Sequence, residues 1–315
     1  MRDQPPAEPM TVETAAAILG AGGVVAIPTE TVYGLAADAA NPDAVLAVFQ
    51  AKGRPRFNPL IAHCDSLAMA ATLAEFPPLA QRLAANFWPG SLTLVLPGRA
   101  GAPIADLVTA GLPTVAIRVP AHPLARAVIA ALGRPLAAPS ANRSGEISPT
   151  SAAAVRDALG GAVPVLDGGR CAAGLESTIV AIRGDTLTLL RPGAVPRADI
   201  EAVAGVPVAD PAPDGGVSAP GMLARHYAPK TPLRLGATGV LPGEALLAFG
   251  PDVPAAPGPV RNLSPAGDLR EAARNLFADL SALDAAGATA IAVMPIPKTG
   301  LGEAINDRLK RAATR

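Results

Sequence analysis

The stretch GVVAIPTETVYGLAADA, residues 23–39, sets the fold class. Residues 23–28 are a short apolar run rich in β-branched side chains, the pattern of a buried strand. Directly after it, Thr29, Glu30, Thr31 and Tyr33 gather hydroxyls and a carboxylate at the strand's end. Open α/β sheets bind ligands outside the carboxyl ends of their strands. A polar turn with Thr29 or Thr31 capping a helix accounts for the same residues, so other segments have to decide.

Outward from this stretch the alternation continues. Residues 11–19 read as a helix with Thr11 as its N-cap, and residues 42–51 as a helix ending at Gly53. Strands are expected at 59–63, 92–96, 114–119 and 163–166, and helices at 124–132 and 151–159. Helical stretches over 67–87 break at Pro77 and Pro78, and 178–182 with 187–190 form a hairpin around Gly184 and Asp185. Such interleaving implies an open α/β sheet. Residues 206–220 (VPVADPAPDGGVSAP) have the composition of a linker. Beyond it, strands at 233–235, 245–249 and 289–294, an amphipathic helix at 271–285 and a closing helix at 302–312 outline a second, smaller α/β unit.

Composition narrows the function. The chain has 315 residues, half of them apolar, with 26 basic against 26 acidic side chains, which argues against a broad polyanion-binding surface. Cys64 and Cys171 are too few for a metal cluster or a disulfide framework, and the histidines, at 63, 122 and 226, lie far apart. No apolar run reaches about 18 residues and the N-terminus has no signal pattern, so the expected location is the cytoplasm. Neither GxxxxGK[ST] nor GxGxxG after a strand occurs, so a nucleotide would be held by another device.

Four segments supply candidates for that device. PTETVYGLAADA has been described. AKGRPRFNPLIAH, residues 51–63, places Lys52, Arg54 and Arg56 together with no acid among them. Three cations within five positions call for compensating anions, and a polyphosphate offers several. A solvated basic loop is the plainer reading. AAPSANRSGEISPTSA, residues 137–152, crowds Ser140, Asn142, Ser144 and Ser148 on a turn able to form an anion-binding nest or a simple N-cap. LDGGRCAAGLESTIV, residues 166–180, ends in Glu176, Ser177 and Thr178 just before a strand. Arg118 and Arg191 each close a strand, and Tyr227 sits at the end of the linker in a chain with 3% aromatics.

Together with NFWPGSLTLVL, VAIRVPAHP, LLRPGAVP and SAPGMLARHYAP, these segments resemble the threonylcarbamoyl-AMP synthase family of YrdC-like proteins in its longer, two-domain form. The resemblance is specific over residues 28–229 and weaker beyond; its first departure is Ser91, where proline is common. It implies a twisted mixed open α/β sheet enclosing a basic cavity, with a second, smaller Rossmann-like α/β domain. The implied division is 1–208 catalytic, 209–229 linker and lid, and 230–315 the small domain. A KxR and SxN signature falls on Lys52, Arg54, Ser140 and Asn142. Threonine would be met by Thr31, His63, Arg118, Ala138 and Ser177. ATP would be met by Arg54, Asn58, Thr114, Ser140, Asn142, Ser148, Arg191 and Tyr227. Lys52 and Arg54 are the candidates for the catalytic work on the phosphates, with magnesium bridging them. The implied substrates are ATP, L-threonine and bicarbonate. The implied partner is a downstream threonylcarbamoyl transferase, with tRNA met only transiently. An RNA-binding module with a basic concavity is the main alternative. Carbamoyl transfer in hydrogenase maturation would bring zinc-binding cysteines, and a dead homologue would lack the complete signature.

Overall fold

The computed structural model describes residues 9–212, 219–221 and 225–314, so 213–218 and 222–224 of the expected linker lie outside the described residues. The first sheet is built from β1 (Val25–Ile27), β2 (Gly34–Asp38), β3 (Ile61–His63), β4 (Leu92–Pro97), β5 (Thr114–Arg118), β6 (Leu136–Ala137), β7 (Thr178–Arg183), β8 (Thr186–Arg191) and β9 (Val208–Ala209). Their order is β1-β2-β6-β3-β5-β4-β7-β8-β9. The pairs β3/β5, β4/β7 and β8/β9 are parallel and the rest antiparallel, so the sheet is mixed as expected.

Eight helices accompany this sheet: α1 (Val12–Gly20), α2 (Pro42–Lys52), α3 (Leu67–Leu73), α4 (Pro78–Phe87), α5 (Asp106–Thr109), α6 (Pro123–Leu132), α7 (Ala152–Leu159) and α8 (Arg197–Ala204). Local chemistry sets their ends. Thr11 and Asn41 accept backbone N–H bonds as N-caps, and Gly53 closes α2 in the left-handed conformation at φ 59°.

Two-residue alternation gives the sheet two different faces. Leu92, Leu94 and Leu96 of β4 and Val115 and Ile117 of β5 pack with Leu79, Leu83 and Ile200 under the helices. The residues between them, Val95 and Ala116, join Ile61, Ile179 and Leu190 in an apolar strip on the opposite face. Ala219 of the linker lies on that strip. One face therefore makes the core, and the other is left for a site.

The second sheet contains β10 (Leu233–Leu235), β11 (Glu244–Ala248), β12 (Val260–Asn262) and β13 (Ala290–Val293), all parallel, in the order β10-β13-β11-β12. It packs with α9 (Leu269–Asp284) and α10 (Leu301–Ala313), whose buried Leu276, Phe277, Leu280, Ile305 and Leu309 share one core. That core also takes in Val32 and Leu175 from the first sheet's loops. At Gly174 a Cβ would meet the backbone of Arg274 at 2.5 Å, so only glycine lets α9 approach this closely.

Several sequence expectations shift. The strand expected at 163–166 reduces to a single bridge between Val165 and Ala26. Pro164 lends its carbonyl to Ala26 but has no N–H with which to continue a ladder. Strands β2, β6, β9 and β12 and helices α5 and α8 come in addition to those expected, and β9 turns the start of the expected linker, residues 208–209, into the edge strand of the first sheet.

Candidate active site

The open face of the first sheet carries a pocket. Strand ends supply most of its wall: Thr29 and Thr31 after β1, His63 closing β3, Arg118 closing β5, Ala138 after β6, Ser177 before β7 and Arg191 closing β8. Arg54 and Ser140 enter from loops, and Tyr227 from the linker. A register shift between Ile179 and Val180 leaves Leu190 as the extra residue of a bulge beside Arg191. Bulges of this kind re-aim the neighbouring side chain.

Of the expected threonine contacts, Thr31, His63, Arg118, Ala138 and Ser177 all line this cavity. Arg118 donates from Nη1 to the Thr31 hydroxyl at 2.9 Å, from Nε to the Gly90 carbonyl at 3.0 Å, and from Nη2 to Glu30 Oε1. Glu30 is fixed in turn by the Ala121 N–H at 3.0 Å and the Ser91 hydroxyl at 3.1 Å. Thr29 shares a 2.7 Å hydrogen bond with Thr31 and donates to the Val32 carbonyl at 2.6 Å. Ser177 Oγ lies 2.7 Å from the Thr93 hydroxyl. Burial first, then the charge of Arg118, lowers the His63 pKa to about 3, so its ring is neutral at pH 7.

Among the expected nucleotide contacts, Arg54, Ser140, Arg191 and Tyr227 line the cavity, whereas Asn58, Thr114, Asn142 and Ser148 do not. Thr114 shares the face of Ala116 and Arg118 by strand alternation but sits at the far end of β5. Ser148 stands behind the wall, donating to Glu176 Oε1 at 2.6 Å. The Asn58 side chain, Asn142 Oδ1 and the Tyr227 hydroxyl are buried with no hydrogen-bond partner among the described residues. Buried polar groups are normally satisfied, so the Tyr227 hydroxyl, the one of these on a residue of the wall, suits a site that takes a polar ligand.

The electrostatics point the same way. Arg54 donates to the carbonyls of Asn58 at 3.2 Å and Pro59 at 2.8 Å, and Arg191 donates to the Ser177 carbonyl at 2.9 and 3.1 Å. Neither forms an ion pair among the described residues. Burial and the nearby charge of Arg191 bring the Arg54 pKa down to about 10, which leaves it cationic at pH 7. Buried charge without a counter-charge is costly unless a ligand supplies one. A polyanion would.

Lys52 is placed differently from expectation. Its ammonium is buried, absent from the cavity wall, and donates to the backbone carbonyls of Ser140 and Asn142. Burial, and secondly the charge of Arg54, push its pKa well below the ordinary value. Its bonds to the two carbonyls tie the 140–142 turn to the end of α2. Lys52→Met is expected to orphan both carbonyls, lower stability by about 1–3 kcal/mol and raise KM for the nucleotide more than it lowers kcat. Melting and steady-state kinetics check this, and an unchanged KM would rule out the loop-shaping role.

Glu30, Glu176 and His226 lie in segments that the sequence singled out, but none was given a ligand or catalytic role there. Burial opposes ionisation of Glu176, but the charges of Arg308 and Arg191 outweigh it and hold its carboxyl below the usual range. The available signal was an acid adjacent to Ser177 in a segment already singled out.

With this geometry in place, the relationships are consistent. A family model described as "Telomere recombination" (Sua5, YciO and YrdC) matches residues 17–193. A second, described as "Threonylcarbamoyl-AMP synthase, C-terminal domain", matches residues 195–314. The threonylcarbamoyl-AMP synthase of Pyrococcus abyssi is 40% identical over 329 residues, covering 97% of this chain and 95% of its own. That of Bacillus subtilis is 40% identical over 331 residues, covering 96% and 92%. The crystal structure of P. abyssi Sua5 complexed with L-threonine superposes with a TM-score of 0.87 at 38% identity, covering 96% of this chain and 94% of that one. By sequence, by both matched segments and by fold, the chain belongs to the Sua5/YrdC family of threonylcarbamoyl-AMP synthases.

Proposed function

We infer that this protein is an L-threonylcarbamoyladenylate synthase, a nucleotidyltransferase that converts L-threonine, bicarbonate and ATP to threonylcarbamoyl-AMP and pyrophosphate. The observation that carries this reading is the convergence of three buried guanidinium groups, Arg54, Arg118 and Arg191, on one cavity with the hydroxyls of Thr31 and Ser177. Its near full-length relatives carry that name. An RNA-binding module fits less well, because the cations line a cavity instead of an open surface.

The chemistry follows from the groups present. Bicarbonate adds to the threonine amine with loss of water to give a carbamate. A carbamate oxygen then attacks the α-phosphorus of ATP, and pyrophosphate leaves. Charge develops on phosphoryl oxygens, so positioning and electrostatic stabilisation supply the catalysis. In this reading Arg54 and Arg191 face the phosphates and Arg118, aimed by Glu30, forks onto the threonine carboxylate. Thr31, Ser177 and neutral His63 complete the amino-acid side, with Ala138 against its methyl group. Asn58, Thr114, Ser140, Asn142 and Ser148 serve the nucleotide, directly or through the turn that Lys52 holds. Tyr227 closes over it and keeps water from the labile adenylate.

Among the described residues, no cluster of three or more His, Cys, Asp and Glu could hold a metal ion. The cavity's one wall carboxylate, Glu176, is engaged by Ser148 and Arg308. A resident metal therefore finds no ligand set of that kind among the described residues. Magnesium would enter this reading with ATP and would neutralise charge on its phosphates.

The product is the donor for threonylcarbamoyladenosine in tRNA, so we place a transferase downstream, and the protein in the cytoplasm with its substrates. No helix among the described residues is long and apolar enough to cross a membrane. Pyrophosphate release should require both threonine and bicarbonate, each omitted in turn. Release without threonine would mark a nucleotidase and overturn the assignment.

A further inference from the structure

The most heavily committed side chain of the second domain is Arg308 on α10. It is fully buried, the largest side chain in the molecule of which this is true among the described residues. Its Nε donates to Glu176 Oε2 at 2.8 Å, its Nη2 to the Pro192 carbonyl at 2.9 Å and its Nη1 to Asp307 at 2.6 Å. Its guanidinium carbon lies 4.9 Å from the centroid of the Tyr227 ring. Two of these contacts abut site residues in sequence: Glu176 precedes Ser177, and Pro192 follows Arg191. A third is the linker aromatic itself, on which Phe277 of α9 also stacks at 5.7 Å and 27°. Glu176 passes the connection on to Ser148 through its second oxygen.

We propose that Arg308 is a positioning residue of the active site. It reaches across from the second domain to set Glu176, the Pro192 turn and the Tyr227 ring together, so that the site is complete only while the two domains are docked. This rests on the synthase reading above. A planar fork can satisfy a carboxylate, a carbonyl and an aromatic face at once, and a lysine ammonium cannot. Docking alone would not need such a group. The Arg197–Glu303 pair, 2.7 Å apart and partly exposed, already ties α8 to α10 away from the cavity. A device in the second domain that touches both the wall and the lid makes closure over the nucleotide report on domain docking. Without Arg308, the Glu176 carboxylate and the Pro192 carbonyl lose their shared donor, each one residue away from a side chain of the cavity wall.

The test uses the full chain. Arg308→Lys keeps the buried charge and Arg308→Met keeps the bulk, while Glu303→Gln removes the peripheral ion pair and serves as control. Pyrophosphate release and threonylcarbamoyl-AMP formation are measured side by side, with melting temperature as the check on folding. We expect Arg308→Lys to raise KM for ATP by at least about tenfold and to lower product formed per pyrophosphate released, with melting changed by only a few degrees. Glu303→Gln should move neither kinetic quantity. Wild-type KM and coupling in both Arg308 variants would overturn the proposal, as would an equal effect of Glu303→Gln. Failure of the synthase reading would show earlier, as wild-type pyrophosphate release that does not require threonine.

Discussion

Replacing Arg54 with methionine is expected to lower threonine- and bicarbonate-dependent pyrophosphate release by about a hundred- to a thousandfold, with little loss of stability. The first half follows from its place on the cavity wall, where burial strengthens a charge-assisted hydrogen bond to a phosphoryl oxygen. Removing one such donor from a preorganised site typically costs about 3–4 kcal/mol of transition-state stabilisation. The second half follows from what Arg54 does without ligand. It gives two hydrogen bonds to the carbonyls of Asn58 and Pro59, and the charge of Arg191 disfavours its own. Losing the bonds and relieving the repulsion act in opposite directions. Kinetics and thermal melting of one variant test both halves. Activity within tenfold of wild type would remove Arg54 from the phosphates.

Acidification from pH 7.5 to 5 is expected to destabilise the protein by about 2–4 kcal/mol, well before carboxylates titrate. His63 and His226 are both buried, and burial first of all lowers each pKa to about 3. Their unfolded-state value is about 6.5. A folded pKa below the unfolded one means that the unfolded chain takes the proton first. The stabilisation is therefore complete above about pH 6.5 and is lost as pH falls toward 3. Glu30 and Glu176 are also shifted down, so their contribution fades only below the ordinary carboxylate range. The two histidines should respond differently. His63 sits at the end of β3 and answers with the sheet, whereas His226 lies outside any strand or helix, beside Tyr227. Melting curves at both pH values, repeated on His63→Gln, separate them; equal stability at pH 7.5 and 5 would sink the account.

Much of this was legible in the chain because its strands are short apolar runs ended by polar turns. Arg118 and Arg191 could be read as strand-end residues, and they face one cavity. What could not be read has physical reasons. The GLAAD sequence of β2 is buried on both faces and shows no alternation, so it passes for part of a turn. Lys52 belongs to the basic segment, yet its ammonium turns inward to backbone carbonyls, a choice made by packing. Glu176 and Arg308 are 132 positions apart, and nothing local to either announces the other. Thr114 shares a strand face with Arg118, but a one-dimensional pattern does not say how far along that face the cavity extends.

The contact of Ala219 with Ile61, Val95, Ala116, Ile179 and Leu190 carries a consequence for affinity. Any ligand lying along that strip must first displace a piece of the protein's own chain. Its apparent dissociation constant is the intrinsic one divided by the fraction of molecules with the strip uncovered. A more adhesive side chain at position 219 would weaken the binding of such a ligand with no atom of the strip altered, and a repellent one would strengthen it. Position 219 is thus a place from which affinity can be set without touching the contact surface itself.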